Sequence, residues 1–174
     1  MSAPSERTRV VTWDDPRAGL RAARSMDGLA FLRAMMRGEH PLPPIARLLG
    51  YDLVEAEEGR VVFAVAPGEC HYNPLGVVHG GLLATVLDSA MACAIHTRTP
   101  AGGYSTTLEL HINYVRPVTL ETPPLRAEGR VLHIGSRIAT AEGRVLDGGG
   151  RLYAHGTTTC LMLRDGGGAE AGGA

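Results

Sequence analysis

The sequence predicts an α+β fold in which an antiparallel sheet of five or six strands wraps around one central apolar helix. Two strand-like segments precede a long apolar helical stretch, four strand-like segments follow it, and Gly-containing turns join the last three. Runs of strands with a single helix favour an antiparallel sheet over alternating βαβ units. At 174 residues the chain fits one domain with a substantial core.

Short helices are predicted before the sheet begins. Residues 16–24 and 27–37 have helical character, and the prolines of "HPLPP" end the second segment. Pro44 can then open a short helix through Arg47. We therefore divide the chain into an N-terminal helical extension at 1–43, a main domain at 44–164 and a Gly-rich tail at 165–174 that is predicted to be disordered.

The period of the apolar residues then changes from helical to alternating. "YDLVEA" and "RVVFAVA", joined by "EEG", predict a hairpin, and the central helix is predicted at about 79–97. Four further strands are predicted at residues 104–116, 125–133, 137–147 and 151–163.

Composition excludes several classes of function. A formal net charge of −1 argues against a nucleic-acid binder that depends on many basic contacts. All 17 basic residues are Arg, so Schiff-base chemistry on a lysine is excluded. The 3 Cys show neither zinc-ligand spacing nor a disulfide pattern, which indicates a reduced, cytoplasmic setting. No secretion signal or membrane-spanning run is present, so we expect no membrane partner. The His and Cys residues show no metal-ligand spacing, and we expect neither a metal nor a redox cofactor.

The central helix carries a single carboxylate, Asp88, in an otherwise small and apolar stretch. The residues three and four positions away cannot neutralise it; they are Ala84, Thr85, Met91 and Ala92. One interpretation is that Asp88 pairs with an Arg from elsewhere or faces water at an exposed edge. The other is that it serves a site as a general base or a water-positioning group.

The start of the helix reads "HGG", with His79, Gly80 and Gly81. Backbone N–H groups there have no partner within the helix, and the helix dipole adds partial positive charge. Two glycines would let a substrate oxygen come close to those N–H groups, as an oxyanion hole requires. Alternatively, the glycines only ease the turn into the helix.

Gly80 and Asp88 are too far apart to act together within one chain. Eight residues of helix correspond to about 12 Å, so one carbonyl group cannot contact both. If both serve one substrate, Asp88 must come from a second copy of the chain, with two antiparallel helices related by a two-fold axis. The sequence therefore predicts a dimer as a hypothesis.

The stretch "NPLGVVHGGLLATVLDSAMACA" resembles the signature of hotdog-fold thioesterases, and specifically of the phenylacetate-pathway (PaaI-type) acyl-CoA thioesterases. "YSTTLELHINYVRPV" is similar to the long central strand of that family. The resemblance implies an acyl-CoA substrate whose thioester carbonyl is polarised by the Gly80 N–H and the Asn73 side chain. It implies that Asp88 of the partner subunit activates water or attacks directly, and that His79 supports the loop. It also implies a dimer or a tetramer.

The same resemblance implies a Ser or Thr on the central strand, and alignment places it at Thr107. The strand's alternation leaves Thr106 as a rival, because Thr106 shares a face with the apolar residues Leu108, Leu110, Ile112 and Tyr114. A bulge or the strand end could turn Thr107 inward.

Phosphates of CoA would need positive partners. Arg137 in "HIGSR", and also Arg116, could contact them, or each could be a solvated arginine at a strand end.

The sequence lacks the motifs of hydratases and of serine hydrolases. The hydratase pattern of Asp followed five residues later by His is absent, since Cys93 takes that position, and no G-x-S-x-G occurs. The apolar surroundings of Cys93 predict an inert thiol. The alternative that remains is a non-catalytic acyl-CoA-binding sensor or carrier.

Overall fold

Four helices and six strands make up residues 7–164, the part of the chain that the computed structural model describes. The helices are α1 (Pro16–Ser25), α2 (Gly28–Met36), α3 (Pro44–Leu49) and α4 (Gly80–His96). The strands are β1 (Tyr51–Glu57), β2 (Arg60–Val65), β3 (Gly103–Tyr114), β4 (Leu125–Ile134), β5 (Ile138–Asp147) and β6 (Leu152–Arg164).

The strands form one antiparallel sheet in the order β1-β2-β4-β5-β6-β3. Hairpins join β1 to β2, β4 to β5 and β5 to β6. Helix α4 connects the first hairpin to β3, which lies at the opposite edge of the sheet. The longer edge strand is β3, which pairs with β6 only among the described strands. The predicted α+β fold, with its sheet and central helix, is confirmed.

The predicted elements are all present, and their ends agree with the structure to within two residues. A single 3₁₀ turn at Glu69–His71 was not anticipated, because a three-residue element has no measurable periodicity. The predicted disordered tail, 165–174, lies outside the described residues, and the division into extension, domain and tail stays a prediction.

The sheet covers one face of α4 and leaves the opposite face half-exposed. Eight residues of the covered face are buried: Leu82, Leu83, Val86, Leu87, Ala90, Met91, Ala94 and Ile95. The opposite face carries a stripe of half-exposed, mostly small residues, here called the outer stripe: Gly81, Ala84, Thr85, Asp88, Ser89, Ala92, Cys93 and His96. These positions recur at helical spacing, so they share one face.

Two glycines allow the sheet to approach α4 closely. Gly129 on β4 and Gly143 on β5 are directly paired. A Cβ atom at Gly129 would lie 2.3 Å from the carbonyl oxygen of Ala90, and one at Gly143 would lie 2.8 Å from a methyl carbon of Leu87. Any side chain at Gly129 would therefore push the helix away from the sheet.

The N-terminal helices dock on the end of α4. A Cβ atom at Gly28 would lie 1.8 Å from the carbonyl oxygen of His96, and the Gly28 N–H donates to the carbonyl of Thr99 at 3.0 Å. Phe31 packs edge-on against the His96 ring at 6.0 Å. Among the helices of residues 7–164, none combines the length and the apolar character needed to cross a membrane.

We expect Gly129→Ala to destabilise the protein. Alanine in a strand is ordinarily tolerated, but here its methyl group overlaps helix backbone, and overpacking costs about 1–3 kcal/mol. Thermal and urea unfolding followed by circular dichroism measure the change. Gly148→Ala is the matched control, since its Cβ has no neighbour within 4 Å. Equal stability of the two variants would contradict the close helix–sheet contact.

Candidate active site

Asp88 lies on the outer stripe and has one hydrogen-bond partner among residues 7–164. The hydroxyl of Thr107 donates a hydrogen bond to Asp88 Oδ1 at 2.8 Å. Within residues 7–164 no arginine or histidine forms an ion pair with Asp88. The interpretation in which an Arg of the described chain neutralises Asp88 is therefore excluded.

A bulge in β3 brings Thr107, rather than Thr106, to Asp88. Thr107 pairs with Cys160 of β6 and Glu109 pairs with the preceding residue of that strand, so Leu108 is left as the extra residue. Before the bulge the odd-numbered residues face α4, and after it the even-numbered ones do. Simple alternation, which favoured Thr106, fails because it assumes an unbroken register.

The other groups near Asp88 are neutral at physiological pH. Burial, together with a smaller contribution from the negative charge of Asp88, raises the pKa of the Cys93 thiol to about 12. Burial also raises the pKa of the Cys160 thiol and that of the Tyr51 phenol, with a smaller contribution from Asp88. A protonated thiol is a poor nucleophile, which agrees with the predicted inertness of Cys93.

The first turn of α4 is capped by His79. Its Nδ1 accepts a hydrogen bond from the Gly81 N–H at 2.8 Å. Residue 81 has to be glycine for this cap, because a Cβ atom there would lie 2.8 Å from the same nitrogen. The N–H of Gly80 has no acceptor within residues 7–164, so it is free to bind a ligand oxygen.

Gly80 also makes room for an aromatic ring. A Cβ atom at Gly80 would lie 3.0 Å from Cζ of Tyr114, at the end of β3. The ring forms one wall of an open hollow of about 520 Å³ beside the first turn of α4. Sequence reasoning missed Tyr114, since its place over Gly80 depends on how β3 crosses the helix.

Asn73 is held in a tight loop just before α4. Its side-chain oxygen accepts hydrogen bonds from the N–H groups of Leu75 at 2.9 Å and Val77 at 3.4 Å. Gly76, with φ 75°, closes the loop. The side-chain NH2 of Asn73 makes no hydrogen bond to residues 7–164 and is therefore available as a donor.

The structure brings Asp88 and Thr107 together but leaves Gly80 apart from them. Gly80 and Asp88 occupy the first and ninth positions of α4, and eight residues of rise place them about 12 Å apart. One chain thus presents two half-sites, a donor group at the helix start and a carboxylate group in its middle.

Comparisons with known proteins show the family of the chain. The sequence profile described as "Thioesterase superfamily" matches residues 75–154. A solved protein of the thioesterase superfamily is 34% identical, with a TM-score of 0.62, over 84% of this chain and 98% of its own. The chain belongs to the thioesterase superfamily. It is a thioester hydrolase of the hotdog type, as its resemblance to PaaI-type enzymes implied.

Two further proteins to which this thioesterase is similar have names that include a pathway or a substrate. A phenylacetic acid degradation-related protein from Ralstonia eutropha is 28% identical with a TM-score of 0.67, over 75% of this chain and 98% of its own. Acyl-coenzyme A thioesterase 13 from Homo sapiens is 31% identical over 90 residues, which is 51% of this chain and 64% of the human protein.

The matched segment contains Gly80, Asp88, Thr107 and Arg137, whereas Asn73 and the N-terminal extension lie outside it. Arg137 is exposed in the turn between β4 and β5 and has no side-chain partner within residues 7–164. Its carbonyl accepts from Met162 N–H, and Met162 pairs with Ser105 of β3, so Arg137 is two strands, about 10 Å, from that residue.

Arg116, the other arginine considered for CoA phosphates, is already engaged. Its guanidinium donates to the Leu152 carbonyl at 2.5 Å and lies 5.8 Å from the centre of the Tyr153 ring. These contacts favour the interpretation of Arg116 as an arginine at a strand end over a role in binding CoA phosphates.

We expect Thr107→Val to lower kcat about 10- to 100-fold, because the carboxylate loses a charge-assisted hydrogen bond worth about 1.5–3 kcal/mol. Thr107→Ser should recover most of the loss, since it restores the hydroxyl. Steady-state kinetics on an acyl-CoA substrate measure both. Thr106→Val is the matched control on the exposed face, and an equal loss there would contradict the assignment.

Proposed function

We propose that this thioesterase hydrolyses the thioester bond of an acyl-CoA with an aromatic or short- to medium-length acyl group, giving the free acid and CoA. The observation that carries the proposal is the half-buried Asp88, which no cation of the described chain neutralises and which Thr107 orients. A carboxylate that is held in one direction and is not neutralised within residues 7–164 can act on a carbonyl as a base or as a nucleophile.

The developing oxyanion is stabilised at the start of α4. The free N–H of Gly80 and the free side-chain NH2 of Asn73 are the two donors, and the helix dipole adds favourable charge. His79 holds the first turn through its bond to Gly81. Donors fixed by the backbone and by a closed loop need no rearrangement when the oxyanion forms.

Asp88 acts on the substrate bound at the helix start of a partner subunit. A separation of about 12 Å within one helix rules out action in the same chain, whereas two antiparallel α4 helices across a two-fold axis would bring the half-sites together. The open edge of β3 supports such a dimer, because a 12-residue strand with one edge unpaired within residues 7–164 invites pairing with its own copy. Assembly of two dimers into a tetramer is part of the proposal.

The reaction balances by either of two routes. As a base, Asp88 takes a proton from water, the water oxygen bonds to the carbonyl carbon, and the C–S bond breaks as the thiolate of CoA takes up the proton. As a nucleophile, the carboxylate forms a mixed anhydride with release of the thiolate, and water then hydrolyses the anhydride. Both routes place the same carboxylate beside the same carbonyl.

CoA enters as part of the substrate, and the proposed reaction needs no metal or redox cofactor. Arg137 is the proposed contact for a CoA phosphate, because its guanidinium is exposed, unpaired within residues 7–164 and near the Thr107 end of the sheet. The cytoplasmic setting stays a prediction.

The test is thiol release from a panel of acetyl-, hexanoyl-, octanoyl-, benzoyl- and phenylacetyl-CoA. We expect wild type to be active and Asp88→Asn to lose at least about 100-fold in kcat, because the amide keeps the shape but cannot act as a base. Circular dichroism checks that the variant is folded.

Ser89→Ala is a matched control one residue further on the same helix, where the Ser89 hydroxyl is hydrogen-bonded to the Tyr51 hydroxyl at 3.0 Å. Retained activity in Asp88→Asn would contradict the catalytic role. Wild type that binds acyl-CoA in calorimetry but releases no thiol would establish the sensor or carrier instead.

A further inference from the structure

Residues 14–44 border an apolar cavity of about 280 Å³ that is partly open to solvent. Helices α1 and α2 and the loop 41–44 form its walls, and Cys93 and His96 of α4 form its floor. The walls are almost entirely apolar, and Asp14 is the one acidic or arginine side chain among the lining residues. The prolines of the loop that follows α2 thus form part of one wall of this cavity.

The cavity floor continues the face of α4 that carries Asp88. Cys93 and His96 follow Asp88 by five and eight residues on the outer stripe, which corresponds to about 7.5 and 12 Å along the helix axis. Only small side chains, Ser89 and Ala92, lie between on this face. A chain that starts at Asp88 and runs along the outer stripe towards the C-terminal end of α4 reaches the cavity.

The size and lining of the cavity define a class of occupant. A methylene group takes about the space of a water molecule, roughly 30 Å³, so the cavity has room for about nine such groups. Its floor is uncharged, because burial lowers the pKa of the His96 imidazole and raises that of the Cys93 thiol. Apolar walls solvate a second carboxylate poorly, so this lining favours an uncharged tail over a dicarboxylic acyl group.

We propose that this cavity is the acyl pocket of the enzyme, that it takes uncharged tails of medium length, and that α1 sets the maximum length. The proposal rests on the proposed acyl-CoA hydrolysis and narrows its substrate class. The thioester carbonyl lies at Asp88, and the tail follows the outer stripe into the space under the N-terminal helices. The extension, which lies outside the matched thioesterase segment, is then the specificity element.

Gly19 on α1 offers a direct test. It lines the cavity, and a Cβ atom there has no neighbour within 4 Å, so a larger side chain is accommodated without a backbone clash. We expect Gly19→Leu to fill part of the cavity and to lower kcat/KM for octanoyl-CoA by about tenfold, as two or three methylenes lose their apolar contacts. The kcat/KM for acetyl-CoA should change less than about twofold, because its tail ends before the cavity.

Gly19→Ala is the matched control, because it makes the same gain in helix propensity with little added volume, and its chain-length profile should equal that of wild type. Ala23→Leu, one turn later on α1, is the second variant and should act like Gly19→Leu. Circular dichroism confirms that each variant folds.

The outcomes separate the two proposals. Wild type should favour octanoyl- and phenylacetyl-CoA over acetyl-, succinyl- and hexadecanoyl-CoA, and the leucine variants should shift the optimum to shorter tails. If wild type hydrolyses acyl-CoA but the leucine variants keep its chain-length profile, the acyl-pocket assignment is wrong while the thioesterase proposal stands. If wild type hydrolyses no member of the panel, both fail.

Discussion

The candidate site depends on one carboxylate, Asp88, that has no counter-charge within residues 7–164. Asp88 sits in the middle of an apolar helix, and within residues 7–164 its hydrogen-bond partner is the hydroxyl of Thr107. A neutralising arginine would satisfy the charge and remove its reactivity. The bulge at Leu108 turns Thr107 inward, and the Thr107 hydroxyl then orients the Asp88 carboxylate. The neighbouring thiols are neutral and so leave the charge of Asp88 in place.

Close contact between α4 and the sheet holds this site in place. The paired glycines Gly129 and Gly143 allow the helix to approach the sheet, and the buried face of α4 packs against the sheet. The outer stripe therefore has a fixed direction and presents small residues beside Asp88. Glycine at position 80 serves a similar purpose at the helix start, where the Tyr114 ring lies over the first turn.

Local sequence patterns predict most of the fold and the central residues of the site. The apolar period of α4 and the "HGG" turn locate the helix start, because the physical causes lie within a few residues. Thr107 could be placed only by resemblance, since a bulge depends on the register with β6. Tyr114 over Gly80 and the cavity under α1 and α2 could not be predicted, because they arise from contacts between distant segments.

The central claim is that each active site combines the helix start of one subunit with Asp88 of another. Mixing Asn73→Ala and Asp88→Asn protein, after mild unfolding and joint refolding, tests this most directly. Each variant alone should be inactive. A mixed dimer would carry one intact site and one doubly altered site, so random pairing should restore about a quarter of wild-type activity. If the mixture stays inactive although mixed dimers form, the two half-sites do not combine across subunits.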